Sequence, residues 1–228
     1  MLYTLEQVRD NIRNREGKRV FFLSKGDQLT PGARDFLRRE RIEIRSSEEA
    51  RIEEYRLLSG GVIREKPEYM THLHSDVLVV KNHPRIALRG ALDLLEGEIM
   101  LCQLELPGFV KELGEILELA RRIIRCEVME EPLKEEKLCG LTQQELRQQS
   151  HLPQEYFGIP HFMPSHTDGK TILLLNRLRA TARVAELRGV DAFYTGEGQV
   201  QREDILRALN RMSSMLYILM LRAKKNGK

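Results

Sequence analysis

Two arginines in the C-terminal part of the chain have the residue type and spacing that most clearly predict chemistry. Arg179 and Arg183 are four residues apart and Glu186 follows three residues later, so a helix would place all three on one face, together with Asn176. Most other positions in the range 170–188 are Leu, Ile, Val or Ala. Such a sequence is typical of a helix in a bundle with one narrow solvent-exposed side.

The opposite face of this helix holds Arg177, Thr181 and Arg188. If that face is the solvent-exposed one, Arg179 and Arg183 point into the protein, where a guanidinium needs an anionic partner. The partner is either a carboxylate of the protein or a phosphate of a ligand, and the spacing alone leaves both open.

A second candidate is the polar stretch 66–93, in which Thr71, Ser75, Lys81 and Arg85 could face an anion. We expect a loop that ends at a helix N-terminus, where free backbone amides and the helix dipole favour phosphate. The simpler alternative is a solvated loop followed by a capped helix.

Asp93 follows Arg89 by four residues and shares a helix face with Ile86 and Met100, which predicts that it is partly buried. Asp93 either pairs with Arg89 inside the helix or orients an arginine from another helix or subunit. Spacing does not separate these two interpretations.

Two further features lie on either side of the arginine helix. Phe162 precedes it and is either a core residue or the floor of a site for a flat cofactor. Asn210, Ser214 and Tyr217 recur at helical spacing on the last helix. Because Asn is mildly unfavourable inside a helix, it predicts a hydrogen bond, either to another helix or to a ligand.

Composition excludes several classes of protein. The 228 residues carry 37 Lys and Arg against 34 Asp and Glu, a net charge of only +3, which argues against a nucleic-acid-binding protein. The three cysteines have no CxxC spacing and predict reduced thiols in a cytoplasmic protein. His72 and His74 form only an HxH pair, too weak a pattern to predict a protein-bound metal. No stretch has the length of a membrane span or a signal peptide, so we expect no membrane association.

The chain is predicted to have two parts: a small α/β N-terminal extension with a linker over 1–62, and a helical bundle over 63–228. Within the extension, a strand, a helix that begins at Pro31 and a second strand follow one another. The charged run 47–66 is interpreted as the linker. Helical periodicity then predicts the following segments: 84–106, 109–130, a short helix capped by Thr142, 170–188 and 202–222. The fold class is therefore mainly α.

These motifs, in this order, resemble the ATP:corrinoid adenosyltransferases, and most closely their ethanolamine-utilisation (EutT-type) branch. The resemblance covers about residues 66–222. It rests on KPEYMTHLHSDVLVVKNHPRIALRGALD (66–93), on FMPSHTDG (162–169) ahead of RATARVAE (179–186), and on LNRMSS (209–214). The N-terminal block 1–46 is also similar to the extension found in that branch.

The resemblance implies a five-helix up-and-down bundle that forms a homo-oligomer, with a trimer favoured. It implies transfer of the 5′-deoxyadenosyl group of ATP to cob(I)alamin, with Mg²⁺ accompanying ATP. It also implies a cytoplasmic protein that supplies adenosylcobalamin to ethanolamine ammonia-lyase or its reactivase, in association with a bacterial microcompartment. Positioning and charge neutralisation suffice for this chemistry, which fits a residue set without an acid–base pair.

The resemblance also implies residue roles. Thr71 and Lys81 would hold the triphosphate, and Arg183, Glu186 and Asn210 would hold ATP. Phe162 would sit against the corrin and keep the lower axial ligand off cobalt. Arg179 would form an ion pair across a subunit interface, with Asp93 as its expected partner.

One departure from the branch is clear. Its members often carry a histidine and three cysteines ahead of the KP stretch, whereas residues 47–65 contain no Cys and no His. We therefore predict no Fe or Zn site of that type. Two alternatives to an enzyme remain: a non-catalytic corrinoid or nucleotide carrier of the same fold, and a structural bundle whose arginines pair with Asp93 and Glu186.

Overall fold

The computed structural model describes residues 1–15, 17–47 and 54–227, without the side chain of Arg15. The backbone forms two compact units, Met1–Lys81 and Asn82–Lys228. Strands dominate the first unit and helices the second, so the mainly α prediction is confirmed for the chain as a whole.

The first half of the N-terminal unit is an α/β arrangement. Its elements are β1 (Leu2–Tyr3), α1 (Leu5–Asp10), β2 (Arg13–Arg15), β3 (Lys18–Leu23), β4 (Gln28–Leu29), α2 (Pro31–Arg39) and β5 (Glu43–Ser46). β3 pairs antiparallel with β2 and parallel with β5, which confirms the predicted strand–helix–strand order. α2 begins as predicted, because the Thr30 side chain accepts from the Ala33 amide and Pro31 needs no hydrogen-bond partner there.

The second half of this unit corrects two predictions. β6 (Tyr55–Leu57), β7 (Val62–Ile63), β8 (Met70–His74) and β9 (Val77–Val80) form a sheet of order β7-β6-β9-β8. Residues 54–63 are thus largely strand rather than linker, and most of the expected loop at 66–81 is the β8–β9 hairpin. The run of Val and Leu in β9 favours a strand, and Ser75, with φ 47°, makes the turn. Residues 48–53 of the predicted linker lie outside the described part of the chain.

The second unit is built from long helices. Its elements are α3 (Pro84–Glu105), a 3-10 turn (Pro107–Phe109), α4 (Val110–Val128), α5 (Gln143–His151), α6 (Pro153–Phe157), a 3-10 turn (His166–Asp168), α7 (Gly169–Phe193), β10 (Tyr194–Gly196), β11 (Gln199–Val200) and α8 (Glu203–Lys225). α3 packs against α4 and α7, α7 packs against α8, and α5 also packs against α8.

Local sequence explains where these helices begin. Pro84 starts α3 after His83, whose ring nitrogen accepts from the Arg85 amide. Thr142 and Glu145 form the predicted capping box at α5. A second capping box, between Ser165 and Asp168, forms the 3-10 turn directly ahead of α7.

α8 is the most buried helix of the core. The run Met215–Leu221 is buried throughout, so this helix has almost no solvent-exposed face in its C-terminal half. α7 approaches it closely at Gly189, where an added Cβ would lie 3.0 Å from side-chain atoms of Leu206 and Leu209. Polar groups on the shared surface of α7 and α8 must therefore find partners on these two helices or in a pocket.

The basic residues near the C-terminus are part of α8. The helix continues to Lys225, so Arg222, Lys224 and Lys225 are helical, while Lys228 lies outside the described residues. Lys224 forms an ion pair with Asp168, which connects the end of α8 to the turn that precedes α7.

A buried ion pair joins α3 to α4. The Glu127 carboxylate is 1% exposed and accepts from the side chains of Arg85 and Arg89, while Arg85 also donates to the Glu127 backbone carbonyl at 2.8 Å. The predicted use of Arg85 for a ligand anion is therefore wrong, because a protein carboxylate occupies its guanidinium. Removal of one partner from a buried ion pair of this kind strongly destabilises the folded protein.

We predict that Glu127→Gln lowers the free energy of unfolding by about 3–5 kcal/mol, because it removes the charge of the buried carboxylate with which both Arg85 and Arg89 pair. Urea denaturation followed by circular dichroism measures this. Glu118→Gln is the matched control, since Glu118 is on the same helix and is 68% exposed. An equal effect of both substitutions would contradict the role of burial.

Candidate functional site

A polar pocket of about 680 Å³ lies among α7, α8 and the segment that precedes α7. It contains several of the residues that the sequence singles out. Its lining residues are Ser150, His151, His161, Phe162, Met163, Pro164, Asn176, Arg179, Arg183, Glu186, Asn210, Ser213, Ser214, Tyr217 and Met220.

Two guanidinium groups give this pocket its charge. Arg179 and Arg183 both line it, as the four-residue spacing predicts, and no carboxylate in the described part of the chain forms an ion pair with either. Arg179 donates to Asn176 Oδ1 at 3.4 Å, and its Cζ lies 5.4 Å from the centroid of the Tyr217 ring. Burial and the nearby charge of Arg183 lower the pKa of Arg179. The pocket therefore holds two guanidinium charges against the one carboxylate of Glu186, and this excess of positive charge favours an anion.

A hydrogen bond between α7 and α8 forms one wall. Asn210 Nδ2 donates to Glu186 Oε1 at 2.7 Å, and Arg211 donates to Asn210 Oδ1. The hydroxyls of Ser213 and Ser214 donate to the Asn210 carbonyl at 3.0 and 3.3 Å. The interhelical contact predicted for Asn210 is present, and the same side chain also lines the pocket. Glu186 and Asn210 therefore face the pocket as a fixed pair.

An aromatic group forms a second wall of the pocket. The rings of Phe162 and His161 stack on Tyr217 with centroids 6.1 and 5.8 Å away, and His161 Nδ1 is 3.2 Å from the Tyr217 hydroxyl. Lys224 Nζ lies 4.5 Å from the centroid of the Phe162 ring. These contacts hold the Phe162 ring at the edge of the polar pocket.

The structure brings five of the eight predicted site residues together: Phe162, Arg179, Arg183, Glu186 and Asn210 all line this pocket. The other three lie elsewhere. Thr71 on β8 and Lys81 directly after β9 belong to the N-terminal unit, and their predicted contacts with a triphosphate stay predictions. Asp93 is exposed on α3, so the expectation that it is partly buried within one chain is wrong.

Sequence reasoning missed several lining or supporting residues. His161 directly precedes Phe162, and its Nδ1 lies 3.2 Å from the Tyr217 hydroxyl oxygen. Lys224 follows Tyr217 by seven residues and therefore shares its helix face. Arg211, next to Asn210, carried no signal of its own, because only the structure shows which atom of Asn210 it contacts.

Neither the histidines nor the cysteines assemble a metal site in the described residues. No group of three or more His, Cys, Asp and Glu side chains in these ranges could hold a metal ion. His72 packs against the Tyr55 ring. Burial raises the pKa of all three cysteine thiols, that of Cys139 to about 12, so they are protonated at neutral pH. Within the same ranges, no helix combines the length and the apolar character that crossing a membrane requires.

Comparisons with known proteins show which family the chain resembles. The sequence model of the cobalamin adenosyltransferase family matches residues 62–223. The chain is 30% identical over 238 residues to the corrinoid adenosyltransferase EutT of Salmonella typhimurium, covering 94% of this chain and 89% of that protein. It is 34% identical over 160 residues to the corrinoid adenosyltransferase EutT of Escherichia coli K12, covering 70% of this chain and 60% of that protein.

Proposed function

Because the chain belongs to the cobalamin adenosyltransferase family, we propose that the polar pocket is where it binds ATP and cob(I)alamin and forms adenosylcobalamin. The observation that carries this assignment is the pair of arginines, Arg179 and Arg183, which face the pocket without a carboxylate partner among the described residues. Two partly buried guanidinium groups raise the free energy of the folded protein when no anion balances their charge, and a triphosphate supplies such an anion.

The reaction needs no proton transfer at carbon. The cobalt(I) lone pair attacks C5′ of ATP, the Co–C bond forms, and the C5′–O bond breaks so that its electron pair leaves with triphosphate. Charge therefore accumulates on the leaving phosphate oxygens, which is where a fixed guanidinium lowers the barrier. We assign this role to Arg183. Glu186 and Asn210, fixed to each other at 2.7 Å, would position the nucleoside part of ATP.

Phe162 would act on the other substrate. Its ring stands at the pocket edge, held by Tyr217 and by Lys224, and a corrin that lies against it would be shielded on its lower face. Loss of the lower axial ligand makes cob(II)alamin easier to reduce. This reduction to cob(I)alamin is the step that precedes alkylation. The aromatic wall would also exclude water from the reacting atoms.

Mg²⁺ is proposed to enter with ATP. Mg²⁺ in such sites is bound mainly through substrate phosphates and retained water, and the Glu186 carboxylate in the pocket already accepts from Asn210. This donor set fits an ion held chiefly by ATP, whose charge Mg²⁺ would partly neutralise. Thr71 and Lys81, from the N-terminal unit, are proposed as further contacts of the triphosphate.

We propose self-association, with a trimer favoured. Apolar side chains are exposed along two packed helices, and the largest exposures are Leu94, Leu101 and Leu104 on α3 and Val184 and Leu187 on α7. Extended apolar surface of this kind marks an interface. Asp93 is exposed on α3, which leaves it accessible to Arg179 of another subunit. The four long helices α3, α4, α7 and α8, with the short helix α5, would form the five-helix up-and-down bundle.

The similarity to proteins named EutT favours a role in ethanolamine utilisation. We propose that the product is passed to ethanolamine ammonia-lyase or its reactivase, with association with a microcompartment as a further proposal. The alternative of a non-catalytic carrier predicts binding of ATP and cobalamin without consumption of either, so an assay of turnover separates the two functions.

We predict that Arg183→Ala abolishes adenosylcobalamin formation from ATP, Mg²⁺ and chemically reduced cobalamin, followed anaerobically by absorbance. The fold should stay intact and gain about 0.2–0.5 kcal/mol in free energy of unfolding, because a like-charge pair at i,i+4 is removed. Arg125→Ala, an exposed arginine on α4, is the control and should react normally. A wild-type chain that binds both substrates without forming product would favour the carrier.

We predict that Phe162→Ala separates the two steps of the reaction. With cob(I)alamin supplied directly, the variant should react at close to the wild-type rate, because the attacking cobalt is already reduced. With cob(II)alamin and a reductant, product formation should fall at least about tenfold. A matching loss with both substrates would show instead that Phe162 is needed for binding. Phe157→Ala provides a control for loss of an aromatic ring from the same unit.

We predict that Leu187→Asp shifts the protein toward monomer in analytical ultracentrifugation, because Leu187 is 65% exposed on α7 and a buried charge disfavours association. Thermal unfolding of the monomer should remain cooperative. Glu197→Gln, an exposed substitution in the β10–β11 turn, should leave the mass unchanged. An unchanged mass for Leu187→Asp would contradict this interface.

A further inference from the structure

The stretch that carries Phe162 lies between α6 and the 3-10 turn ahead of α7, and side chains rather than backbone hydrogen bonds hold it in place. Residues 159–164 form neither helix nor strand. In the part of the chain that the structure describes, none of their backbone amides or carbonyls pairs with another backbone group. The position of the Phe162 ring therefore depends on the contacts that individual side chains make with it.

Two side chains of α8 contact that ring. Tyr217 stacks with it at a centroid distance of 6.1 Å, and the Lys224 ammonium nitrogen lies 4.5 Å from its centroid. Tyr217 and Lys224 are seven residues apart, so both lie on the same side of α8. Unlike Tyr217, Lys224 is not one of the residues that line the polar pocket. An effect of Lys224 on a ligand in that pocket would therefore act through Phe162.

An ion pair holds the Lys224 ammonium at the ring. A lysine side chain is flexible and does not stay in one place unless it is paired. Asp168 accepts from Lys224 through Oδ1, and its Oδ2 accepts from the Ser165 amide at 2.7 Å. The hydrogen bond from Lys224 and that from the Ser165 amide lower the pKa of Asp168, so the carboxylate is charged at neutral pH. The capping box ahead of α7 thus fixes Asp168, and Asp168 fixes the ammonium.

We propose that Lys224, anchored by Asp168, is a positioning residue for the reduction step, because it holds the Phe162 ring where the ring keeps the lower axial ligand off cobalt. This inference rests on the function proposed for Phe162. A cation over an aromatic face is attracted by the electrons of the ring. Lys224 should therefore matter for the transfer of one electron from an external donor to cob(II)alamin. It should not matter for the attack of cob(I)alamin on C5′ of ATP.

The first test is Lys224→Met, which retains an unbranched side chain and removes the charge. With cob(II)alamin and a reduced flavin as electron donor, adenosylcobalamin formation should fall at least about threefold, a loss that corresponds to one cation–π contact. With cob(I)alamin supplied directly, the rate should stay close to that of the wild type. Lys224→Arg should restore the first rate, because a guanidinium keeps the charge and pairs with a carboxylate. Lys225→Met, at the adjacent exposed lysine, is the matched control and should react normally in both assays.

A double-mutant cycle shows whether Lys224 acts through the ring. In the Phe162→Ala background, Lys224→Met should cause no further loss of product formation from cob(II)alamin. A full additional loss would overturn the proposal, because Lys224 would then act independently of Phe162. A normal rate for Lys224→Met from cob(II)alamin, while Phe162→Ala is impaired, would also overturn it and leave the function proposed for Phe162 intact.

A measurement without substrates separates this inference from the proposed function. The chain contains no Trp, so Phe162→Trp places a single fluorophore at the position of the ring. Addition of Lys224→Met should raise the rate constant for quenching by acrylamide, obtained from fluorescence lifetimes, at least about twofold, because a ring without this contact is more mobile. Addition of Lys225→Met should leave the rate constant unchanged.

Equal quenching with and without Lys224→Met would overturn the positioning role, whatever the assays of turnover show. If Phe162→Ala reacts normally from cob(II)alamin, the function proposed for Phe162 fails. The quenching result alone then decides whether Lys224 holds the ring.

Discussion

The hydrogen bond from Asn210 to Glu186 is the contact on which the rest of the site depends. Asn210 is half-buried on α8, so its amide needs hydrogen-bond partners within the protein. Asn210 meets that requirement by donating to Glu186 on α7 at 2.7 Å. The bond fixes the two helices side by side at the pocket and places the arginines of α7 opposite the serines and Tyr217 of α8.

The hydrogen bond from Asn210 to Glu186 also determines which ion pairs form in the pocket. Glu186 is three residues from Arg183 on the same helix and would be its natural ion-pair partner, but its carboxylate accepts from Asn210 instead. Arg183 and Arg179 are left with like charge and no protein counter-ion in the described ranges. The proposed anion site would therefore rest on the loss of one stabilising ion pair, a trade between stability and function that is common at active sites.

Much of this arrangement follows from sequence periodicity. The long helices, the caps at Thr30 and Thr142 and the shared face of Arg179 and Arg183 all depend on local spacing and cap chemistry, which the sequence displays directly. The β8–β9 hairpin was not predicted, because the polar residues of this stretch indicated a loop. The run of Val and Leu in β9 nevertheless favours a strand, and the backbone forms one. The burial of Glu127 between Arg85 and Arg89 could not be predicted from the sequence, because the contact joins residues about forty positions apart. The Lys224–Phe162 contact was also missed, since it depends on where α8 ends.

The two walls of the pocket have different physical origins but share one helix. The polar wall needs Asn210 fixed by Glu186 and Arg211, and the aromatic wall needs Tyr217, which stacks with Phe162 and also lies beneath Arg179. Asn210 and Tyr217 are seven residues apart, two helical turns, so their separation is set by the rigid geometry of α8. A nucleophilic displacement requires its two reactants at a fixed distance and angle. In this chain a single buried helix sets the spacing between the wall that would hold ATP and the wall that would hold the corrin.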